Sequence, residues 1–158
     1  MELVGVRIEL PTNQPIVLLR ESGGVRYLPI WIGATEATAI AFALEGVEPQ
    51  RPLTHDLLRD VTSSLGATIE RVVVNGLREG IYYADLVLGG DVGEVVISSR
   101  PSDAIALAAR TDAKLFASEE VLEEAGVEIK EDDDEEAEVE RFREFLDTVQ
   151  PEDFTGGS

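Results

Sequence analysis

Two segments of the chain combine an arginine, a proline and the acidic start of a helix, and they hold the residues best suited to chemistry. The first is Arg51–Asp56 (RPLTHD), which contains the one histidine of the sequence, and the second is Ser99–Asp103 (SRPSD). Proline disfavours helical geometry at the residue before it, and Thr54 and Ser102 are suited to cap the helices that follow. We therefore expect two helices whose first turns present an arginine and a carboxylate to one common pocket.

These residue types are suited to work on a phosphate group. A histidine such as His55 can exchange a proton near neutral pH, and arginines such as Arg51 and Arg100 bind phosphate or carboxylate through two parallel hydrogen bonds. The N–H groups at a helix start add further donors for an anion. Two other interpretations remain open. In one, His55 is simply a capping or exposed residue of its helix, and in the other, each arginine pairs with the aspartate beside it.

Carboxylates near these segments are candidates for binding a divalent cation, since Mg²⁺ and Mn²⁺ prefer oxygen ligands. The candidate metal ligands are Glu36 and Asp103, although an acid at the start of a helix also offsets the helix dipole. We expect His55, Asp56 and Asp103 to be catalytic. Arg51, Arg100 and Ser102 are the candidate phosphate-binding residues.

The elements that must position these residues follow an α+β order. Alternating apolar residues predict strands at Val4–Leu10, Ile16–Leu19 and Val25–Ile32, and two helices follow. A three-stranded meander, a helix after Pro101, a short strand and a helix capped by Ser118 complete the pattern. We expect one domain with a mostly antiparallel mixed sheet packed against three to four helices. The apolar residues of the helix after Pro52 recur at helical spacing and predict its buried face: Leu57, Leu58, Val61 and Leu65.

Charge divides the chain into a body and a tail. The 158 residues carry a net charge of −19, and residues 128–158 hold 13 acidic and 3 basic residues. We expect a domain over residues 1–127, an acidic linker over 128–137, and a short amphipathic helix with a loose end over 138–158. An acidic surface repels phosphate backbones, so any nucleic acid must be bound at a local site and not by a basic surface.

The composition also limits the cellular compartments and the classes of protein to which the chain can belong. The chain has no cysteine and no apolar run long enough to cross a membrane, and its first residues do not resemble a signal peptide. We expect a cytoplasmic protein, without membrane association, that forms a homodimer or another homo-oligomer. Neither a Walker-type phosphate loop nor the ligand spacing of a zinc site occurs.

Three motifs in order resemble the bifunctional nuclease domain family: Leu28–Gly33 (LPIWIG) with Glu36-Ala37, Arg51–Leu58 (RPLTHDLL) and Ser99–Leu107 (SRPSDAIAL). The resemblance covers roughly residues 1 to 126. It implies a compact domain of helices and strands and, for plant members, nuclease activity on both DNA and RNA. It assigns no catalytic residue, so the candidates above come from the residues themselves.

These observations lead to a main and an alternative hypothesis. The main one is a phosphodiesterase acting on DNA or RNA, assisted by Mg²⁺ or Mn²⁺. The alternative is a non-catalytic, oligomeric module whose arginines bind a small anion, a nucleotide or the carboxylate of a protein partner.

Overall fold

The computed structural model describes residues 1–129 and shows an α+β fold, as the sequence predicts. This part of the chain forms two four-stranded sheets and four helices. The strands are β1 (Glu2–Glu9), β2 (Gln14–Arg20), β3 (Arg26–Trp31), β4 (Ala67–Arg78), β5 (Ile81–Gly90), β6 (Val95–Ser99), β7 (Lys114–Ala117) and β8 (Val127–Glu128). The helices are α1 (Ala34–Glu45), α2 (Thr54–Ser64), α3 (Pro101–Ala108) and α4 (Glu119–Ala125).

Both predicted groups of strands form, each in its own sheet. The first sheet has the order β1-β2-β3-β8 with antiparallel pairing throughout. The second has the order β6-β5-β4-β7, in which β4 and β7 are parallel and the other pairs are antiparallel. The meander predicted over residues 69–98 is therefore confirmed as β4, β5 and β6. The division into two sheets and the short strand β8 were not predicted.

The helix α3 lies at the centre of the packed layers. It contacts α1 and α2 as well as β4, β5 and β7, and Ala104, Ile105 and Ala106 are completely buried. Small alanine side chains allow neighbouring elements to approach closely, while isoleucine fills the remaining space. Because α3 is held on all sides, the residues of its first turn have a fixed position.

The helix α2 contradicts the prediction of a buried leucine face. Leu57, Leu58, Val61 and Leu65 are 55%, 44%, 47% and 72% exposed, whereas His55 is the buried residue of this helix. Apolar residues at helical spacing identify a face but do not say what covers it. Polar contacts of the first turn with α3 and with the segment that follows it orient α2 instead, and they turn the leucines outward.

Two helix caps also differ from the prediction. Leu53 and Arg100 are the extended residues that precede α2 and α3, so Thr54 and Ser102 lie within the first turns. Pro101 begins α3 because its fixed φ suits the first helical position and its missing N–H is not needed there. The predicted cap of α4 is confirmed, since Ser118 Oγ accepts a hydrogen bond from the Val121 N–H at 3.3 Å.

The carboxyl end of the described chain joins the first sheet. Glu128 pairs with Arg26 of β3, so strand pairing extends one residue beyond the predicted domain limit at residue 127. The predicted helix over residues 138–158, and the acidic linker from residue 130 onward, lie outside the described residues. Within residues 1–129, no helix is long and apolar enough to cross a membrane.

Candidate active site

The two Arg-Pro helix starts meet in space. His55, in the first turn of α2, places Nε2 2.9 Å from Asp103 Oδ1 in the first turn of α3. The His55 side chain is 8% exposed and that of Asp103 is 30% exposed. Residues 48 positions apart thus form one hydrogen-bonded pair, so the two helix starts lie next to each other, although of the first segment only His55 takes part in this contact.

Arg100 extends this pair to a third helix. Its Nη2 lies 2.8 Å from Asp103 Oδ2 and 3.2 Å from Oε1 of Glu36, which is in the first turn of α1. The hydrogen bond with Asp103, followed by the charges of both carboxylates, raises the pKa of Arg100 above its ordinary value. We call Glu36, His55, Arg100 and Asp103 the helix-start cluster.

Three helix starts therefore surround one charged cluster. The N-terminus of a helix carries partial positive charge and unpaired N–H groups, so it favours an anion or a carboxylate. Glu36 and Asp103 take this place in α1 and α3. The same environment is suited to a phosphate that displaces one of the carboxylates from Arg100.

The carboxylate of Glu36 lies close to Gly33, the residue that precedes α1. A Cβ atom at Gly33 would collide with Glu36 Oε2, whose carboxylate lies against the glycine. No side chain caps α1, because its N-cap is Gly33 itself. This end of the glutamate side chain is flexible and Gly33 has an ordinary extended backbone, so the contact alone does not require glycine at the end of the LPIWIG motif.

The cluster has an open side and a closed side. Arg100 is 67% exposed, whereas the side chains of Glu36 and His55 are 18% and 8% exposed. A guanidinium at the surface can bind an incoming anion, and the paired histidine and aspartate lie behind it. Asp103 holds the imidazole in one orientation, which is what a proton-transferring histidine requires. The arrangement is suited to bind a phosphate and to move a proton beside it.

Asp56 does not join this cluster, although it is the next residue after His55. Its Oδ1 accepts a hydrogen bond from Arg110 Nε at 2.8 Å, and its Oδ2 accepts one from the Leu53 N–H at 3.0 Å. Burial acts to raise the pKa of Asp56, but the hydrogen bonds from Arg110 and Leu53 outweigh it, so the pKa lies below its ordinary value of 3.8. The structure therefore separates Asp56 from His55 and Asp103, with which the sequence analysis had grouped it.

Arg110 was missed in the sequence analysis. Its side chain is 5% exposed, and Nη1 also donates a hydrogen bond to the Ala106 carbonyl oxygen at 2.8 Å. A buried guanidinium needs a carboxylate partner, and Asp56 supplies it from another helix. The usable signal was the position of Arg110 directly after the apolar helix α3. A cleft of about 500 Å³ lies beside this pair, and its lining includes Asp56, Arg59 and Arg110.

Within residues 1–129, the other predicted phosphate-binding residues are not among the bonded members of the helix-start cluster. Arg51 is exposed and forms no ion pair with any residue in the range 1–129. Ser102 belongs to the first turn of α3 but is only 7% exposed. Of the two arginines that precede a proline, Arg100 belongs to the helix-start cluster and Arg51 does not.

The two predicted metal ligands lie together, because Glu36 and Asp103 both contact Nη2 of Arg100. Over the described range 1–129, no group of three or more histidine, aspartate or glutamate side chains is arranged to hold a metal ion. Any cation bound by these two carboxylates would have to displace the Arg100 guanidinium from them, and it would take its other ligands from substrate or water.

Comparisons with known proteins agree with the sequence motifs. The sequence model of one family, described as the bifunctional nuclease domain, matches residues 17–130. An uncharacterised protein of Mycobacterium tuberculosis strain H37Rv is 49% identical over 161 residues, covering 98% of this chain and 96% of that protein. Bifunctional nuclease 1 of Oryza sativa subsp. indica is 24% identical over 120 residues, covering 74% of this chain and 36% of the rice protein.

Proposed function

Because the chain belongs to the bifunctional nuclease domain family, we propose that it is a nuclease that hydrolyses phosphodiester bonds in DNA or RNA. The observation that carries the proposal is the pairing of His55 with Asp103, directly behind the exposed guanidinium of Arg100. A rice relative is named a bifunctional nuclease, and the similarity covers 74% of this chain. Nucleic acid is therefore the proposed substrate.

In this proposal Arg100 binds a phosphate of the substrate. It is the exposed cation of the cluster, and the positive ends of α1, α2 and α3 lie around it. An anionic substrate and the carboxylates of Glu36 and Asp103 would compete for the same guanidinium. A chain with a net charge of −19 does not attract a polyanion over its whole surface. A local site with an exposed arginine can still bind one phosphate of the substrate.

In this proposal His55 transfers the proton, and Asp103 holds the imidazole ring of His55 in position. An ionised carboxylate can only accept a hydrogen bond, so the hydrogen in the 2.9 Å contact belongs to His55 Nε2. The other ring nitrogen, Nδ1, is then the one that takes a proton from water or gives one to the leaving oxygen. Asp103 serves as the orienting group whose negative charge stabilises the protonated ring.

We also propose that Mg²⁺ or Mn²⁺ assists the reaction. Mg²⁺ is usually held through one or two carboxylates together with substrate phosphates, and Glu36 with Asp103 offers such a pair. When bound, the cation would neutralise charge on the phosphate. The chain is further proposed to act as a homo-oligomer in the cytoplasm, in keeping with its lack of cysteine.

The experiment measures cleavage of single-stranded DNA and of RNA by the purified protein, with Mg²⁺, with Mn²⁺ or with a chelator. We expect cleavage by the wild type and none by the double variant His55→Gln, Asp103→Asn. The matched control is Asp60→Asn, which changes an aspartate on the same helix that is 47% exposed and pairs with Arg59. Cleavage that persists in the double variant would come from a contaminant and would refute this site.

A second candidate function is a non-catalytic module that binds a small anion or nucleotide. The observation in its favour is that the His55 side chain is only 8% exposed and is already paired with Asp103. Under this alternative no cleavage occurs in any metal condition, and inorganic phosphate or a nucleotide raises the melting temperature of the protein. The Arg100→Gln variant would lose that rise, whereas the Asp60→Asn control would keep it.

A further inference from the structure

The cleft beside the Asp56–Arg110 pair has no role in the reaction proposed above. Its volume is about 500 Å³, within the range of about 300 to 1000 Å³ that is usual for small-molecule sites. The lining comes from the last turns of α1, the loop between α1 and α2, the first two turns of α2 and the residues that follow α3. A cleft of this size, built from four separate parts of the chain, is a candidate ligand site.

Positive charge is concentrated around this cleft. Arg59 and Arg110 line it, and Arg51 belongs to the loop that forms one wall. Arg110 is held by Asp56, but Arg51 is exposed without an ion pair in the range 1–129. Arg59 is 40% exposed and pairs with Asp60 at the surface, where an incoming anion can compete for it. Open guanidinium groups of this kind are suited to bind a phosphate.

The cleft also has an apolar wall. Its lining includes the half-buried Phe42 and Pro49 and the exposed Val47 and Pro52. The ring of Phe42 is suited to stack on a nucleobase, because every base has a flat π-face. The aliphatic side chains beside it exclude water from such a contact. This wall would contribute nothing to the binding of inorganic phosphate, but it suits the base of a nucleotide.

Two further lining residues have groups that can bind the edge of a base. Glu48 and Gln50 are both exposed. A carboxylate accepts hydrogen bonds from the amino groups of bases, and an amide both donates and accepts. The other acidic residue of the lining, Asp56, is already paired with Arg110 at 2.8 Å. The cleft therefore combines cations, an apolar surface and hydrogen-bonding groups, which together match the parts of a nucleotide.

The cleft lies close to the helix-start cluster. Asp56, which lines the cleft, directly follows His55 of the cluster, and the chain runs through α3 from Asp103 in the cluster to Arg110 at the cleft. A helical rise of about 1.5 Å per residue puts Asp103 and Arg110 about 10 Å apart. A stacked strand of nucleic acid advances about 3.4 Å per nucleotide, so about three nucleotides span this distance.

We infer that the cleft binds one nucleotide of the substrate strand, about three nucleotides from the phosphate at Arg100. Arg51 and Arg59 bind its phosphate, and Phe42 stacks on its base. The position along the strand rests on the proposed nuclease function, whereas nucleotide binding itself can be measured without cleavage. A free mononucleotide has the same base and phosphate, so it serves as the probe.

The first test measures binding of adenosine 5′-monophosphate by isothermal titration calorimetry. We expect the wild type to bind it and Arg59→Gln to bind it about tenfold more weakly, as for the loss of a hydrogen bond between charged groups. The matched control is Arg71→Gln, because Arg71 is 38% exposed, pairs with Glu70 at 3.7 Å and is not a lining residue. This control and Arg100→Gln should both keep the wild-type affinity.

Two results would overturn the inference. One is a wild-type protein that does not bind the mononucleotide at millimolar concentration. The other is binding that is lost in Arg100→Gln and kept in Arg59→Gln, which would place the nucleotide in the helix-start cluster.

The second test separates the base from the phosphate. Phe42→Leu keeps an apolar side chain but removes the aromatic ring, so the affinity for adenosine 5′-monophosphate should fall about fivefold. The affinity for ribose 5-phosphate, which has no base, should not change in this variant, whereas Arg59→Gln should weaken binding of both ligands. Thermal melting shows whether each variant is folded. An equal loss for both ligands in Phe42→Leu would mean that the cleft binds no base and would refute the inference.

The third test asks whether the bound nucleotide belongs to the substrate strand. For cleavage of single-stranded DNA of about ten nucleotides, KM should rise about tenfold in Arg59→Gln and should not change in Arg71→Gln. An unchanged KM in Arg59→Gln would make a free nucleotide the ligand and refute a role in substrate binding. If the wild type cleaves nothing, the proposed function fails and the substrate role with it, while the titration decides separately whether the cleft is a nucleotide site.

Discussion

His55 and Asp56 are neighbours in the first turn of α2, yet they belong to two different charged systems. His55 joins the helix-start cluster, where Arg100 is 67% exposed. Asp56 pairs with Arg110, and these two side chains are 13% and 5% exposed. Both systems combine aspartate with arginine at a helix start. The exposure of the arginine therefore distinguishes them: an open guanidinium can bind a substrate, and a buried one is held by its own carboxylate.

The same difference predicts opposite consequences of mutation. Removing one partner of a buried ion pair leaves an unpaired charge in the interior and costs about 3 to 5 kcal/mol. An ion pair at the surface contributes about 0 to 1 kcal/mol, because water solvates both charges and salt screens them. Variants of the helix-start cluster should thus affect activity, and variants of the Asp56–Arg110 pair should affect stability.

The largest expected effect is the loss of activity in the Asp103→Asn variant. Asparagine keeps the shape of the side chain but removes the charge that orients His55 and stabilises its protonated ring. We expect kcat for cleavage of single-stranded DNA or RNA to fall about 10²-fold to 10⁴-fold, the range for loss of general acid–base catalysis. The comparison is with Asp56→Asn, assayed under conditions where that variant is folded. An equal loss of kcat in both variants would erase the distinction between the two systems.

The next effect is on stability, in the Asp56→Asn variant. The change leaves Arg110 buried without its carboxylate, so the free energy of unfolding should fall by about 3 kcal/mol at pH 7. Urea denaturation followed by circular dichroism measures it. Asp60→Asn is the control, because Asp60 and Arg59 are 47% and 40% exposed, and its cost should be under about 1 kcal/mol. Equal losses in both variants would contradict a stabilising role for the buried pair.

This stability difference should also depend on pH. The pKa of Asp56 is lower in the folded protein than its ordinary value of 3.8, so ionised Asp56 stabilises the folded state. The contribution is complete above the ordinary value and is lost as the pH falls through the lowered one. The gap in unfolding free energy between the wild type and Asp56→Asn should therefore be constant from pH 7 to about pH 5 and narrow below pH 4. A gap that instead widens on acidification would contradict this assignment.

Local patterns were sufficient to predict most of the helices and strands and to suggest that the starts of α2 and α3 lie close together. Alternating apolar residues and turn signals identified both antiparallel groups of strands, and the two Arg-Pro steps identified α2 and α3. The recurrence of one motif at two places suggested that the two helix starts lie close together, but it did not predict the hydrogen bond between His55 and Asp103. These features depend on near neighbours in the sequence, which is why a single chain reveals them.

Features that depend on distant partners were not predictable in the same way. The partner of Asp56 is Arg110, 54 residues away, and the position of Arg110 two residues after an apolar helix does not identify the carboxylate with which it pairs. Periodicity located the leucines of α2 but assigned them to the core, because it describes a face and not what covers it. The parallel pairing of β7 with β4 likewise depends on how α3 crosses the sheet.

The smallest expected effect belongs to Glu36→Gln. This variant tests whether the carboxylates bound to Arg100 compete with an incoming anion. The change removes one of the two carboxylates that compete with an anion for this guanidinium. In the presence of a chelator, the affinity for a short single-stranded oligonucleotide should rise by up to about fivefold, corresponding to about 1 kcal/mol. The rise should be largest at low salt, where exposed charges are least screened.

Fluorescence anisotropy measures this affinity, and the control is Glu119→Gln, which removes a carboxylate from Arg26 at the other sheet and should not change the binding. Weaker binding by Glu36→Gln would mean that the glutamate helps to hold the substrate. Arg100 would then be held by its own carboxylates as firmly as Arg110 is held by Asp56, and exposure would no longer separate the two charged systems.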